Sequence, residues 1–110
     1  MPNLKIYVER ARYAAREDAL SEQLPALRAL LCDHLAVPPA ACQIAVLPVL
    51  GLADQPELNA ELFILPAPAR DRSSIIALAA ALRDQISTAA EAPAAVRISF
   101  LDAGTYVALK

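Results

Sequence analysis

The chain contains one pattern twice, a strand followed by a helix and a second strand. Apolar and polar residues alternate over 4–8 and again over 58–64, the period-two pattern of a strand with one face on a core. The segments 40–47 and 94–101 are similar in sequence and occupy the same place in the two halves. Strands joined by a long helical connection lie parallel, so each half is predicted to be a βαβ unit.

Two apolar stripes at helical spacing lie between these strands. Pro38 ends the first helix, and Asp71 or Ser73 can cap the second. Pro25 lies inside the first helix and is expected to kink it or to mark a new first turn. Residues 106–109 remain as a short terminal strand that can pair between subunits. The two stripes consist of Leu20, Leu24, Leu27, Leu31 and Leu35, and of Ile75, Leu78, Ala79, Leu82 and Ile86.

These patterns predict an α/β fold in one domain, 1–110, with pseudo-repeats 1–50 and 55–102. Its strands form a four-stranded mixed sheet with two helices on one face. Hydrophobic residues make up 57% of the 110 residues and the mean hydropathy is +0.40, which is apolar for so small a body. A large subunit interface is therefore expected.

Composition also argues against several classes of function. The longest uncharged apolar stretch, 44–53, is too short to span a bilayer, and charges interrupt the N-terminal region before a signal-peptide core can form. We therefore expect a cytoplasmic protein without a membrane partner. A pI near 5.3 without a basic run predicts no nucleic-acid partner. Cys32, Cys42 and His34 lack metal-ligand spacing, so no metal or other cofactor is predicted, and both cysteines are expected to be free thiols.

Pro2 precedes the first strand and has a potential chemical role. Removal of Met1 would make it a secondary amine at the end of a core strand. A free α-amino group has a pKa of about 7.7 to 8.0, and an apolar environment lowers that pKa by disfavouring the charged form. Such an amine can act as a general base near neutral pH. The alternative interpretation is that Pro2 only leads into a strand, where its missing N–H costs little.

Three short segments resemble the tautomerase superfamily. Residues 37–39 followed by 44–46 look like the Lys-Pro-Pro and Ile-Ala-Val segment of the macrophage migration inhibitory factor branch. Residues 70–73, Arg-Asp-Arg-Ser, look like the Arg-x-Arg-Ser of the malonate semialdehyde decarboxylase branch. Arg12 matches an arginine that 4-oxalocrotonate tautomerase has ten residues after its proline. The similarity covers the whole chain and includes the 5-carboxymethyl-2-hydroxymuconate isomerase branch.

The resemblance implies a homotrimer and a cofactor-independent tautomerase or isomerase. Pro2 would be the general base on a small 2-oxo or enol carboxylate. Arg70, Arg72 and Arg12, the last from a neighbouring subunit, would bind the carboxylate and stabilise the dienolate.

The sequence also departs from the superfamily pattern. Val37 stands where the inhibitory factor has its active-site lysine, and Arg97 and Ser99 stand where its tyrosine and asparagine fall. Alanine or cysteine occupies 40–42, where the decarboxylase has a catalytic aspartate. Two further hypotheses stay open: a non-catalytic trimer of this fold that binds a partner, and a ferredoxin-like dimeric binding module.

Overall fold

The computed structural model describes all 110 residues. Four strands, two helices and one short 3₁₀ turn at Pro39–Ala41 follow one another in the order β1, α1, β2, β3, α2, β4. The bounds are β1 Asn3–Glu9, α1 Arg10–Leu35, β2 Gln43–Val49, β3 Leu58–Ile64, α2 Arg72–Ala90 and β4 Ala94–Phe100. The predicted fold class and the order of the elements are confirmed.

The strands form one mixed sheet in the order β2-β1-β3-β4. β1 is parallel to β2, and β3 is parallel to β4, as helical crossovers require. β1 and β3 pair antiparallel at the centre, so Asn3 lies opposite Phe63 and Val8 opposite Leu58. The two strands of each βαβ unit are direct neighbours. The ferredoxin-like alternative, a split βαβ arrangement, is therefore wrong for this chain.

Both helices cover the same face of the sheet and bury one hydrophobic core. Alternate residues of the two central strands point into it and are fully buried, as the period-two pattern predicts. Leucines of the α1 stripe and the buried positions of α2 pack against them. The largest of the fully buried side chains are Leu4, Ile6, Leu27, Leu31, Leu58, Leu62, Ile64, Leu78, Leu82 and Ile86.

The helix ends agree with the predicted signals, but the irregularity inside α1 does not. Asp71 caps α2, and its carboxylate accepts a hydrogen bond from the backbone N–H of Ser74 at 2.8 Å. Inside α1 the non-helical residue is Arg16, with φ −126° and ψ 17°, rather than Pro25. Pro25 and Ser21, whose carbonyl loses its helical donor, are both exposed, so water can satisfy that carbonyl. The backbone dihedral angles at Pro25 remain helical, so the predicted new first turn there is wrong and the break in α1 lies at Arg16.

Residues 101–110 form no strand within the chain, contrary to the predicted terminal strand. Asp102 organises a turn there, and its backbone carbonyl accepts hydrogen bonds from the N–H groups of Thr105 and Tyr106. A strand needs a neighbour for its backbone groups, and one chain offers none to 106–109. Pairing of this segment between subunits stays a prediction.

The chain exposes much apolar surface. Its accessible surface is 6630 Å², whereas a monomer of 11.7 kDa is expected to expose about 5,900 Å². The sheet face opposite the helices carries no covering element. Neither helix combines the length and the apolar composition needed to cross a membrane. The large exposed hydrophobic side chains are Met1, Leu50, Leu52, Phe63, Ile76, Phe100, Tyr106, Val107 and Leu109.

Candidate functional site

Pro2 lies at the N-terminal end of the central strand β1. Its side chain is less than 2% exposed, while Met1 before it remains partly exposed. The Pro2 carbonyl accepts a hydrogen bond of 2.9 Å from the backbone N–H of Gln43, the first residue of β2. Removal of Met1 leaves the Pro2 carbonyl unchanged. The pairing of β1 with β2 therefore still holds the proline after Met1 is removed.

A groove of about 580 Å³ runs along the outer edge of β2, and Pro2 itself is not among its lining residues. It is lined by Leu24, Pro25 and Arg28 of α1, by Lys5 of β1, and by residues 42–45, which lead into β2. Gln43 therefore belongs both to the groove and to the hydrogen bond with Pro2. The lining contains two cationic side chains and no carboxylate, so its charge favours an anion.

Cys42 lies half-buried at the same end of the sheet as Pro2. Burial and a hydrogen bond with Cys32 raise the pKa of the Cys42 thiol to about 11, and the charges of Arg28 and of the chain's terminal ammonium oppose that rise. Arg28 and Cys42 line the same groove. This end of the sheet accordingly combines the N-terminus, Arg28 and a half-buried thiol.

Arg12 lies at the opposite end of the sheet, after the last residue of β1. Its Nε donates to the carboxylate of Glu57 at 2.7 Å, and its Nη2 donates to the other carboxylate oxygen at 3.4 Å. This contact lowers the pKa of the Glu57 carboxyl below its usual range and raises the pKa of Arg12. Within one chain Arg12 and Pro2 are thus separated by the length of β1.

Arg70 and Arg72 lie at the same end of the sheet as Pro2, because β3 runs antiparallel to β1 and leads toward them. Arg70 Nη1 donates to the backbone carbonyl of Leu65 at 2.6 Å, and its Nη2 donates to that of Leu35 at 3.4 Å. Arg72 is exposed and makes no side-chain hydrogen bond or ion pair. The Asp71 carboxylate between them already occupies the N-terminus of α2.

Sequence reasoning missed Arg28, Lys5 and Gln43 as the polar lining of the groove, and Gln43 as a hydrogen-bond partner of Pro2. Arg28 lies outside the leucine stripe, on the polar face of α1, where a charged residue is ordinarily a solvated surface group. The signal available was the predicted parallel pairing of β1 with β2, which brings the start of β2 beside the start of β1. The described residues contain no cluster of three or more His, Cys, Asp or Glu side chains that can hold a metal ion.

Comparison with known proteins places this geometry in a structural context. No protein-family model and no curated protein sequence matches the chain. Solved structures do match it over nearly its whole length. A macrophage migration inhibitory factor-like protein from Entamoeba histolytica superposes with a TM-score of 0.74 at 10% identity, covering 97% of this chain and 94% of the other. The chain has the tautomerase fold.

Two further structures with the tautomerase fold are similar to the chain. A fused 4-OT described as an asymmetric trimer matches with a TM-score of 0.67 at 21% identity, over 90% of this chain and 85% of the other. A member of the cis-3-chloroacrylic acid dehalogenase family matches with a TM-score of 0.68 at 15% identity, over 96% and 79%. The resemblance inferred from the sequence is therefore confirmed at the level of the fold.

Proposed function

We propose that the chain is a cytoplasmic, cofactor-independent tautomerase or isomerase of the tautomerase superfamily. After removal of Met1, Pro2 would be the general base acting on a small 2-oxo or enol carboxylate. One observation carries this proposal: Pro2 stands at the start of the central strand, and its carbonyl is hydrogen-bonded to Gln43, which lines a groove whose charged side chains are both cationic. Enzymes named among the similar folds, a fused 4-OT and a dehalogenase family member, add support.

The chemistry needs only a proton shuttle. The neutral amine of Pro2 takes a proton from one carbon or oxygen of the substrate and returns it at another. Once Met1 is removed, Pro2 carries a secondary amine, and the unprotonated form of that amine is the one that accepts the substrate proton. The negative charge that develops on the dienolate is stabilised by guanidinium groups at the same end of the sheet.

The arginines differ in how free they are to bind a carboxylate. Arg72 has its whole guanidinium available and is the strongest candidate. Arg70 uses two of its donors on backbone carbonyls and retains others, and Arg28 lines the groove itself. Arg12 can reach a Pro2 site only as the arginine of a neighbouring subunit, because its own Pro2 lies at the far end of β1.

A homotrimer fits the surface of the chain. The open face of the sheet and the exposed hydrophobic side chains are accounted for by symmetric assembly, which would bury them. In the proposed trimer, Arg12 of one subunit is assigned to the Pro2 site of the next. The fused 4-OT is itself described as a trimer.

A non-catalytic trimer that binds a partner or ligand is the second candidate. It is favoured by the existing engagement of two predicted substrate ligands, Arg12 with Glu57 and Arg70 with backbone carbonyls. An arginine held by its own chain has fewer donors for a substrate. The two candidates differ in whether Pro2 is needed.

The test is turnover of a panel of enol acids, including 2-hydroxymuconate and phenylenolpyruvate, by protein whose N-terminus has been verified by intact mass. Pro2→Ala should lose most of the activity, because it replaces the cyclic secondary amine with a primary one. The matched control is Pro68→Ala, in an exposed loop, which should keep wild-type kinetics. If processed wild type turns over none of the panel, or if Pro2→Ala equals wild type on every substrate, the non-catalytic trimer is the better account.

A further inference from the structure

The two cysteines of the chain lie side by side, although they are ten positions apart in the sequence. Cys32 belongs to the last turn of α1, and Cys42 immediately precedes β2. Their Sγ atoms are 3.7 Å apart. Both side chains are half-buried rather than sealed in the core, so a small oxidant can reach them. The pair is a dithiol built by two different elements, which a spacing motif in the sequence does not indicate.

The two sulfur atoms are in van der Waals contact. A disulfide bond is about 2.05 Å long, so the two sulfurs would have to approach by roughly 1.7 Å from their present 3.7 Å. Side-chain rotation together with a small shift of the connecting segment closes that distance. The connection between the two cysteines also has room to adjust, because Ala36 and residues 38–40 are exposed.

We propose that Cys32 and Cys42 form a reversible intramolecular disulfide on exposure to a peroxide. The Cys32 thiolate attacks one oxygen of hydrogen peroxide, the O–O bond breaks, and a sulfenic acid and hydroxide result. The Cys42 sulfur then attacks the sulfenic sulfur, the S–S bond forms, and water leaves. In total two thiols lose two electrons and two protons, and one peroxide becomes two waters. A dithiol reductant reverses the bond by exchange.

The surroundings of Cys42 indicate the order of these steps. Burial is the main cause that raises its pKa to about 11, so this thiol holds its proton at neutral pH. The first attack is therefore assigned to Cys32, and Cys42 acts as the resolving thiol. The bond would tie the end of α1 to the residue before Gln43, whose N–H holds Pro2.

The proposal is tested on the full chain, reduced and then treated with hydrogen peroxide, and it needs no enzymatic assay. Intact mass should fall by two hydrogen atoms, and thiol titration under denaturing conditions should fall from two to zero. Dithiothreitol should restore both values. The oxidised protein should melt at a higher temperature than the reduced protein, because the cross-link restrains the unfolded chain.

Cys32→Ser and Cys42→Ser are the matched controls. Neither variant can lose two hydrogen atoms within one chain, and in the order assigned above Cys42→Ser should accumulate the sulfenic acid faster than Cys32→Ser. The proposal is overturned if the oxidised wild type keeps two thiols, gains oxygen to the sulfinic state, or is cross-linked only between chains. A disulfide that forms but lowers the melting temperature would overturn the claim that the native structure positions the two cysteines for this bond. Because the readouts are mass, thiols and melting, they are independent of whether Pro2 is a base.

Discussion

Replacement of Arg70 by alanine is expected to destabilise the fold even though the side chain lies on the surface. Its guanidinium joins the end of β3, at Leu65, to the end of α1, at Leu35. A hydrogen bond from a charged donor contributes about 1.5 to 3 kcal/mol to stability. Arg70 is only partly buried, so we take the lower half of that range for the 2.6 Å bond to Leu65 and assign little to the 3.4 Å bond to Leu35.

We therefore expect Arg70→Ala to lower the free energy of unfolding by about 1.5 to 2 kcal/mol. For a domain of this size the loss corresponds to a fall in melting temperature of roughly 6 to 16 °C. The assay is urea denaturation followed by circular dichroism, with all variants at one protein concentration, since assembly makes stability concentration-dependent.

Arg72→Ala is the matched control for this measurement. It removes the same side chain two residues away, from an exposed position without a partner, and should change stability by less than about 0.5 kcal/mol. The same variant should raise the KM for an acidic substrate if Arg72 binds the carboxylate. If the Arg70→Ala protein proves as stable as the Arg72→Ala protein, the assignment of Arg70 as a link between α1 and β3 is refuted.

Three further outcomes are expected. Arg12 lowers the pKa of Glu57, so the ion pair stabilises the fold at pH values above the ordinary glutamate pKa of about 4.3, and this contribution is lost as the pH falls through the lowered pKa. The free energies of unfolding of Glu57→Gln and wild type should therefore converge in acid. A difference that stays constant with pH would contradict this. Light scattering should give three times the 11.7 kDa mass of the chain, and a stable monomer or dimer at micromolar concentrations would rule out the trimer. Oxidation of Cys32 and Cys42 should lower kcat/KM reversibly, because it displaces the segment that holds the base, and a disulfide-bonded protein with full activity would show that the two sites are uncoupled.

The sequence was sufficient for the fold because its signals are local and repeated. Alternation over 58–64 predicts β3 to the residue, and Asp71 caps α2 as its position before the helix indicates. Helical connections also fix the parallel pairing of the strands. The irregularity of α1 was not predictable in the same way, because Arg16 is held by long-range contacts. Its guanidinium donates to the backbone carbonyl of Ala89 at 2.9 and 3.0 Å and pairs with Glu91.

The site was predictable only in part. Pro2 is identifiable because its place before β1 follows from the sequence itself. The environment of Pro2 depends on which residues α1 and the start of β2 bring beside it, so Arg28 and the contact between Cys32 and Cys42 are visible only in three dimensions. Sequence order likewise gives no indication that Arg12 would be paired with Glu57, which lies far along the chain.

The most direct test of Pro2 as the base compares the mature protein with the same chain that retains Met1. The two differ by one residue, and in the second the Pro2 nitrogen is an amide that cannot accept a proton. The measurement is kcat/KM for an enol acid that the mature protein ketonises, with both N-termini verified by intact mass. We predict that the Met1-retaining protein has no activity above the uncatalysed rate. Equal kcat/KM for the two proteins would contradict the account.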